Sequence, residues 1–336
     1  MKVLTLAGSR REIIRLSLLV EKLDRRCEHV LVHAVEGPDA EANRSCFEEL
    51  GVRAPDRVLD LGGEGFGARA GRLLDGIEPL LRDEQPDRIL IAGGVSGLAS
   101  LVAKRLGIEV VHLDAGSRCF DSTEPEESVR RAVDHSSDLL LAYTGGNRRN
   151  LLREGRPAGR VMVTGNPVLE VIEGHEERIA EAAESVVDRL DVTPGEFLLF
   201  AVRDTGDGSG ERLRSMSEGV TRLGASLGMP VVTAGNSFSF FDFIALQMGA
   251  HLVLTDRPGV VEECCLFGTP AVTLGETTVR PETLECGANI LAGVEPEAIL
   301  RTAAVALDGI PAWDPPAEYM RSDVSSTVAR LVLAGP

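Results

Sequence analysis

The 336-residue chain is 43% hydrophobic but only 4% aromatic, enough apolar material for two domains with aliphatic cores. Its 52 acidic and 35 basic residues leave a formal net charge of −17, which repels nucleic acid and anionic membranes at long range and excludes a nonspecific binder of either. An anionic small ligand must therefore be met by locally placed cations, and Arg10, Arg11, Arg203, Arg257 and Arg280 all lie in turn positions.

The sequence enters a buried strand at 3–7 directly after Met1, without the basic and apolar regions of a secretion signal. No run approaches the roughly 18 apolar residues of a membrane span. Six cysteines without CxxC spacing read as reduced thiols, so a soluble cytoplasmic protein without a metal is expected. Short apolar runs alternate with helical patterns throughout, the mark of an α/β fold with parallel sheets wrapped by helices. The first strand runs into Gly8-Ser9-Arg10-Arg11-Glu12 and a helix over 12–23. Further strands are expected at 30–33, 88–92, 110–113, 139–142 and 161–164, with helices such as 67–81, 98–106 and 126–135 between them.

Within this half, Gly62-Gly63-Glu64-Gly65-Phe66-Gly67 superficially resembles a dinucleotide fingerprint, but without a suitable strand-turn-helix context it reads as a loop capping the next helix. Asp114 follows the strand at 110–113 and precedes Ala115-Gly116, at a carboxyl end where clefts in open sheets form. That position is compatible with a functional role or with none. Pro125-Glu126-Glu127, then Arg130 and Asp134-His135, place acids first and cations later along a helix. Spacing alone explains this as dipole compensation, about 0.3 to 1 kcal/mol per group.

A polar, charge-rich helical bridge over 165–193 ends at Thr193-Pro194-Gly195 and carries the domain junction. The expected division is a first domain over 1–170, a second over 171–316, and a crossover helix over 317–336 that packs on the first. Second-half strands are expected at 197–202, 231–233, 252–255 and 271–274, followed by a proline-containing turn at 310–316 and a last helix over 318–333. The strand at 252–255 repeats the opening plan, running into Asp256-Arg257-Pro258-Gly259 and a helix carrying Glu262 and Glu263. Such turns offer backbone N–H groups and positive dipole to an anion, and two of them suggest two nucleotide-binding domains facing a shared cleft. Cys264 and Cys265, in that apolar helix, read as small core residues.

Several segments, in order along nearly the whole chain, carry a more specific signal. They are residues 8–17, 112–121 (His112-Leu113-Asp114-Ala115-Gly116 onward), Pro125-Glu126-Glu127, Asp134-His135, Thr164-Gly165-Asn166-Pro167, 256–263 and 277–282. Together they resemble the non-hydrolysing UDP-N-acetylglucosamine 2-epimerase family, in particular its branch acting on capsule and O-antigen deoxy or diacetamido sugars. The resemblance implies two Rossmann-like domains in the glycosyltransferase-B arrangement, a UDP-sugar in the cleft, a final helix crossing back, a homodimer, and neither metal nor nicotinamide. It implies UDP-sugar-binding roles for Gly8, Arg10, Arg203, Arg257, Pro258, Gly259, Glu263 and Arg280. Among these, Gly259 and Glu263 would hold diphosphate and ribose, with Arg10 and Arg280 beside the diphosphate. Asp114, Glu126 and Glu127 would be the catalytic carboxylates.

Departures from the family pattern matter as much. The family's Gly-Asp-Thr turn, whose aspartate is an acid/base group, reads Ala92-Gly93-Gly94-Val95-Ser96-Gly97 here. Its Gly-His-Arg-Arg-Glu reads Ala201-Val202-Arg203-Asp204-Thr205, and none of the six histidines fills that slot. Arg15 replaces a lysine, Asp114 a glutamate and Arg257 a serine, and a segment with a His-Pro pair is missing between Thr233 and Phe240. Ala34-Val35-Glu36 stands where bacterial members use Thr-Gly-Gln for regulatory UDP-sugar binding, so no such regulation is expected. Epimerisation in the family resembles elimination of UDP and its return, with proton exchange at C2. Each general acid/base group contributes about 10² to 10⁴ in rate, so losing two favours repurposing toward glycosyl transfer to a small acceptor. The alternatives are a retained UDP-sugar 2-epimerase and a catalytically silent UDP-sugar binder.

Overall fold

The computed structural model describes residues 1–35, 40–63, 65–203, 210–235, 238–308 and 312–335, with the side chains of 40–42 excluded. Glu36, Glu64, Asp204, Thr205, Ile310 and part of the 233–240 stretch, all named above, lie outside the described residues. The chain forms two compact units, Met1–Val171 with Arg321–Pro336, and Ile172–Met320. No described helix is long and apolar enough to cross a membrane.

Unit 1 is a parallel sheet of seven strands among the described residues: β1 (Lys2–Ala7), β2 (Glu28–Val35), β3 (Arg57–Asp60), β4 (Arg88–Ile91), β5 (Glu109–Leu113), β6 (Leu139–Ala142) and β7 (Val161–Val163). Their order is β3-β2-β1-β4-β5-β6-β7. Helices α1 (Arg10–Asp24), α2 (Ala40–Glu49), α3 (Phe66–Glu84), α4 (Ala99–Arg105), α5 (Pro125–His135) and α6 (Gly145–Arg153) link the strands. Covered on both faces, the central strands are continuous apolar runs instead of alternating ones. Leu4, Leu6, Val30, Val32, Ile89, Ile91 and Val110 thus pack on Leu73, Ile77 and Leu81 of α3. The chain leaves β1 toward β2 and β3, then returns to β4 on β1's other side, so the direction of winding reverses between β1 and β4.

The segment from 168 to 190 forms α7 (Val168–Glu173) and α8 (Glu176–Leu190). Unit 2 holds β8 (Leu198–Ala201), β9 (Val231–Thr233), β10 (Leu252–Thr255), β11 (Ala271–Thr273) and β12 (Asn289–Leu291), ordered β12-β11-β10-β8-β9, so its reversal lies between β8 and β10. Helices α9 (Gly210–Leu227), α10 (Phe240–Gly249), α11 (Pro258–Phe267), α12 (Pro281–Glu285) and α13 (Pro296–Leu307) surround it. Met216, Val220 and Leu223 of α9 and Ile299 and Ala303 of α13 cover Leu198, Phe200, Leu252 and Leu254. The α9–α13 approach is close enough that a Cβ on Gly219 would lie 2.8 Å from Ile299 Cδ1. Cys264 and Cys265 are buried, as their apolar helix suggests.

The last helix, α14 (Val324–Ala334), belongs to unit 1, with Val324, Val328 and Val332 buried at four-residue spacing. It begins six residues later than the expected start at 318. The intervening stretch is a turn whose Tyr319 is buried in unit 2, its hydroxyl donating to Glu282 Oε1 at 2.6 Å. Two edge strands, β3 and β12, were not anticipated. Since β3 ends at Asp60 just before Gly62 and α3 begins at Phe66, strand-turn-helix context is present there after all.

Candidate active site

In open parallel sheets, ligands bind outside the strands' carboxyl ends where winding reverses. In unit 1 that places the β1–α1 turn beside the β4 turn. Ser9 caps α1, accepting a hydrogen bond from the Glu12 N–H, and its hydroxyl donates to Glu12 Oε1 at 2.9 Å. Ser9 and Glu12 thus follow the Ser-x-x-Glu spacing of a capping box, with the glutamate reaching one residue further back, to Gly8. Glu12 Oε2 accepts from the Gly8 N–H (2.8 Å) and from Ser96 Oγ of the β4 turn (2.7 Å), so one buried carboxyl ties the two turns together. Burial pushes the pKa of Glu12 above the ordinary range, against the pull of its donors Ser96, Gly8 and Ser9. The Gly93 and Gly94 φ angles are +95° and +64°. Arg10 pairs with Glu49 at 3.7 Å.

The turn after β5 adds the acidic part. Asp114 sits in the left-handed region (φ +67°), a strained backbone of the kind found at functional sites. Its carboxylate accepts from Arg11 at 2.6 Å and from Ser117 Oγ at 2.8 Å. Only glycine fits at 116, where φ is +81° and a Cβ would come within 2.4 Å of the Asn147 carbonyl oxygen. Behind this turn, buried His112 bonds Asp134 Oδ1 through Nδ1 at 2.8 Å, and Asp134 also accepts from the Gly116 N–H and pairs with Arg118. Although burial opposes it, His112 and Arg118 hold the Asp134 carboxyl below its ordinary range.

Helix α5 differentiates the two glutamates that spacing treated alike. Glu126 is exposed, whereas Glu127 is buried, accepting from the Cys119 N–H and pairing with Arg130 and Arg131. Burial notwithstanding, the Cys119 and Arg130 donors lower the Glu127 pKa. The 114–119 loop thus carries Asp114 at one end and is fastened to Glu127 at the other.

The reversal point of unit 2 is built differently. Arg203, exposed after β8, donates its N–H to Asp256 Oδ1 at 2.9 Å, while the Arg257 guanidinium donates to the Val202 carbonyl and lies 5.9 Å from the Phe243 ring centroid. Pro258 opens α11, where a missing N–H costs nothing, and Gly259 follows, buried. Glu263 is buried and accepts from Gln247 Nε2 at 2.9 Å. Arg280 is fully buried, its guanidinium bonded to Glu262 and to the Val279 carbonyl. Spacing gave no sign of Ser96, Gln247 or this Glu262–Arg280 pair. Among the described residues, no group of three or more His, Cys, Asp or Glu side chains could hold a metal.

The family model for UDP-N-acetylglucosamine 2-epimerase matches residues 21–236 and 227–333. The chain belongs to the UDP-N-acetylglucosamine 2-epimerase family. It is 31% identical over 348 residues to the UDP-N-acetylglucosamine 2-epimerase of Methanocaldococcus jannaschii, covering 94% of this chain and 95% of that protein. It is 30% identical over 335 residues to the UDP-2,3-diacetamido-2,3-dideoxy-D-glucuronate 2-epimerase of Pseudomonas aeruginosa, covering 91% and 92%. The crystal structure of the M. jannaschii enzyme in complex with UDP-GlcNAc and UDP matches 98% of this chain and 99% of that one, with a TM-score of 0.90 at 28% identity. Membership in this family makes the chain a UDP-sugar-dependent enzyme with two Rossmann-like domains of the glycosyltransferase-B fold class.

Proposed function

We propose that the protein is a UDP-sugar 2-epimerase acting on UDP-N-acetylglucosamine or a closely related acetamido sugar nucleotide. Likeness to two relatives named as 2-epimerases, over more than nine-tenths of the chain, supports this over transfer to an acceptor. The carrying observation in the molecule is Asp114, a carboxylate on strained backbone at the reversal point of unit 1, oriented by Arg11 and Ser117.

In this reading Asp114 exchanges the proton at C2, and Glu127 and the His112–Asp134 pair hold its loop in register. Exposed Glu126 serves as the second carboxylate. Gly8 and Arg10 line the same edge. In unit 2, the α11 N-terminus with Pro258 and Gly259, together with Arg203 and Arg257, receives the diphosphate, where fixed N–H groups and guanidinium forks offset the charge on departing UDP. Glu263 receives the ribose hydroxyls, and Arg280 acts through Glu262 to fix α11 against α12.

The test is incubation with UDP-N-acetylglucosamine in deuterated water, followed by proton NMR. The expected result is the manno epimer carrying deuterium at C2. A protein that binds UDP yet yields neither epimer nor deuterium incorporation overturns the reading. One observation favours a second reading: the β4 turn, Gly93-Gly94-Val95, offers no carboxylate of its own. If that loss has ended proton exchange, UDP is released only when a small acceptor is supplied, and the protein is a glycosyltransferase.

A further inference from the structure

We propose that Cys265 and Cys286 form an oxidisable thiol pair, at which a low-molecular-weight disulfide converts the contact between α11 and α12 into a covalent cross-link. The inference goes beyond the catalytic reading and does not depend on it. The two Sγ atoms lie 3.6 Å apart, in direct contact, although 21 positions separate the residues. Cys265 is buried on α11, and Cys286 is half-buried at the end of α12, its thiol donating to the Thr283 carbonyl at 3.5 Å.

The surroundings hold the sulfurs in register. Glu262 and Cys265, three residues apart, share one face of α11. Arg280 bonds Glu262 just before α12 begins, and Tyr319 anchors Glu282 within it. The five-residue helix is thus fixed at its start, and the thiol contact lies at its end. The other cysteines lack this arrangement. Cys264 is fully buried with its thiol on Gln247, and the buried Cys46 thiol has its pKa pushed up to about 12.

The chemistry balances in two exchanges. The Cys286 thiol loses its proton to solvent and its sulfur attacks one sulfur of the small disulfide, forming a mixed disulfide and releasing one small thiolate. Cys265 then loses its proton, attacks Cys286 Sγ and expels the second. The protein loses two hydrogens and two electrons, and the small disulfide is reduced to two thiols. Because burial raises the pKa of the Cys265 thiol, the second exchange is the slow one.

The experiment treats the full-length protein with glutathione disulfide, blocks remaining thiols by alkylation and maps peptides without reduction. The expected product joins the Cys265 and Cys286 peptides. Trp313, the chain's single tryptophan, donates its indole N–H to the Cys265 carbonyl at 3.0 Å and supplies a second readout. Its fluorescence melting midpoint should rise by several degrees on oxidation, because the cross-link restricts the unfolded chain. Cys265→Ser and Cys286→Ser should each abolish both effects, and Cys27→Ser neither. A glutathione adduct that stays on Cys286, a cross-link through Cys264, unmodified thiols, or an unchanged melting midpoint in the cross-linked protein would each overturn the proposal.

Discussion

The reversal points of the two sheets share one plan, a strand, a tight turn and a helix N-terminus, yet acids predominate around one and exposed or turn-borne guanidinium groups around the other. In unit 1 the carboxyl groups at and behind the turns are each steadied by a donor from another element: Arg11 on Asp114, Arg118 on Asp134, the Cys119 N–H on Glu127 and Ser96 on Glu12. In unit 2 the turn carries Arg257 beside Asp256, which accepts from Arg203, and among the described residues the buried carboxylate-guanidinium pair is Glu262 with Arg280, within the unit. Acids held apart by individual partners suit proton handling, whereas cations at a helix N-terminus suit an anion. The backbone plan supplies a place for a ligand, and the side chains decide what is done there.

The sharpest way to break this division is Asp114→Asn. The expected outcome is a loss of turnover by about 10² to 10⁴ in the NMR assay, with UDP affinity by calorimetry nearly unchanged. Equal losses in both would merge the two roles. Next comes Arg280→Ala, which leaves the fully buried Glu262 without its cation and should cost about 3 to 5 kcal/mol in urea unfolding followed through Trp313. The double variant Glu262→Gln with Arg280→Met should recover most of that loss. A stable Arg280→Ala protein with weakened UDP binding would instead make Arg280 a direct diphosphate ligand.

Glu263→Gln tests the ribose assignment, with an expected loss of about tenfold, roughly 1.4 kcal/mol, in UDP affinity. The smallest effect concerns acid. A carboxyl whose folded pKa lies below its unfolded value contributes stability that is present above the unfolded value and lost as pH falls through the folded one. Asp134, lowered from an ordinary 3.8, should therefore weaken the fold below about pH 4. Asp134→Asn should flatten that part of the pH–stability curve measured by urea unfolding.

Legibility in the sequence followed burial. Strands β1, β4, β6, β8 and β10 stand out because both faces are covered and the runs are mostly apolar. Edge strand β3, Arg57–Asp60, has charged residues at both ends and only partial burial at Leu59, and β12 opens on polar Asn289 with only Ile290 and Leu291 to follow, so neither produces a run. Both reversal-point turns could be read locally, from glycine and helix-start residues. The pairings across them could not, because Ser96 lies 84 positions from Glu12, Asp114 lies 103 from Arg11, and Arg280 lies 18 from Glu262. Only folding shows that Glu127 is buried and Glu126 is not. The left-handed backbone at Asp114 gives no warning in sequence either, since aspartate is common in many other conformations.

The place of α14 has a consequence for how the molecule is made. Residues from both extremes of the chain complete unit 1: Arg88 donates to the Val332 carbonyl, the Ser325 N–H to Glu170, and Arg321 to the Val163 carbonyl. Unit 2 is continuous, so its whole sequence is synthesised while the earlier-synthesised unit still waits for its closing helix. Helix α1, which packs against α14, depends on that late arrival for part of its cover. A chain cut short after residue 320 would therefore contain all of one body and leave the other open, and the open one is the half synthesised first.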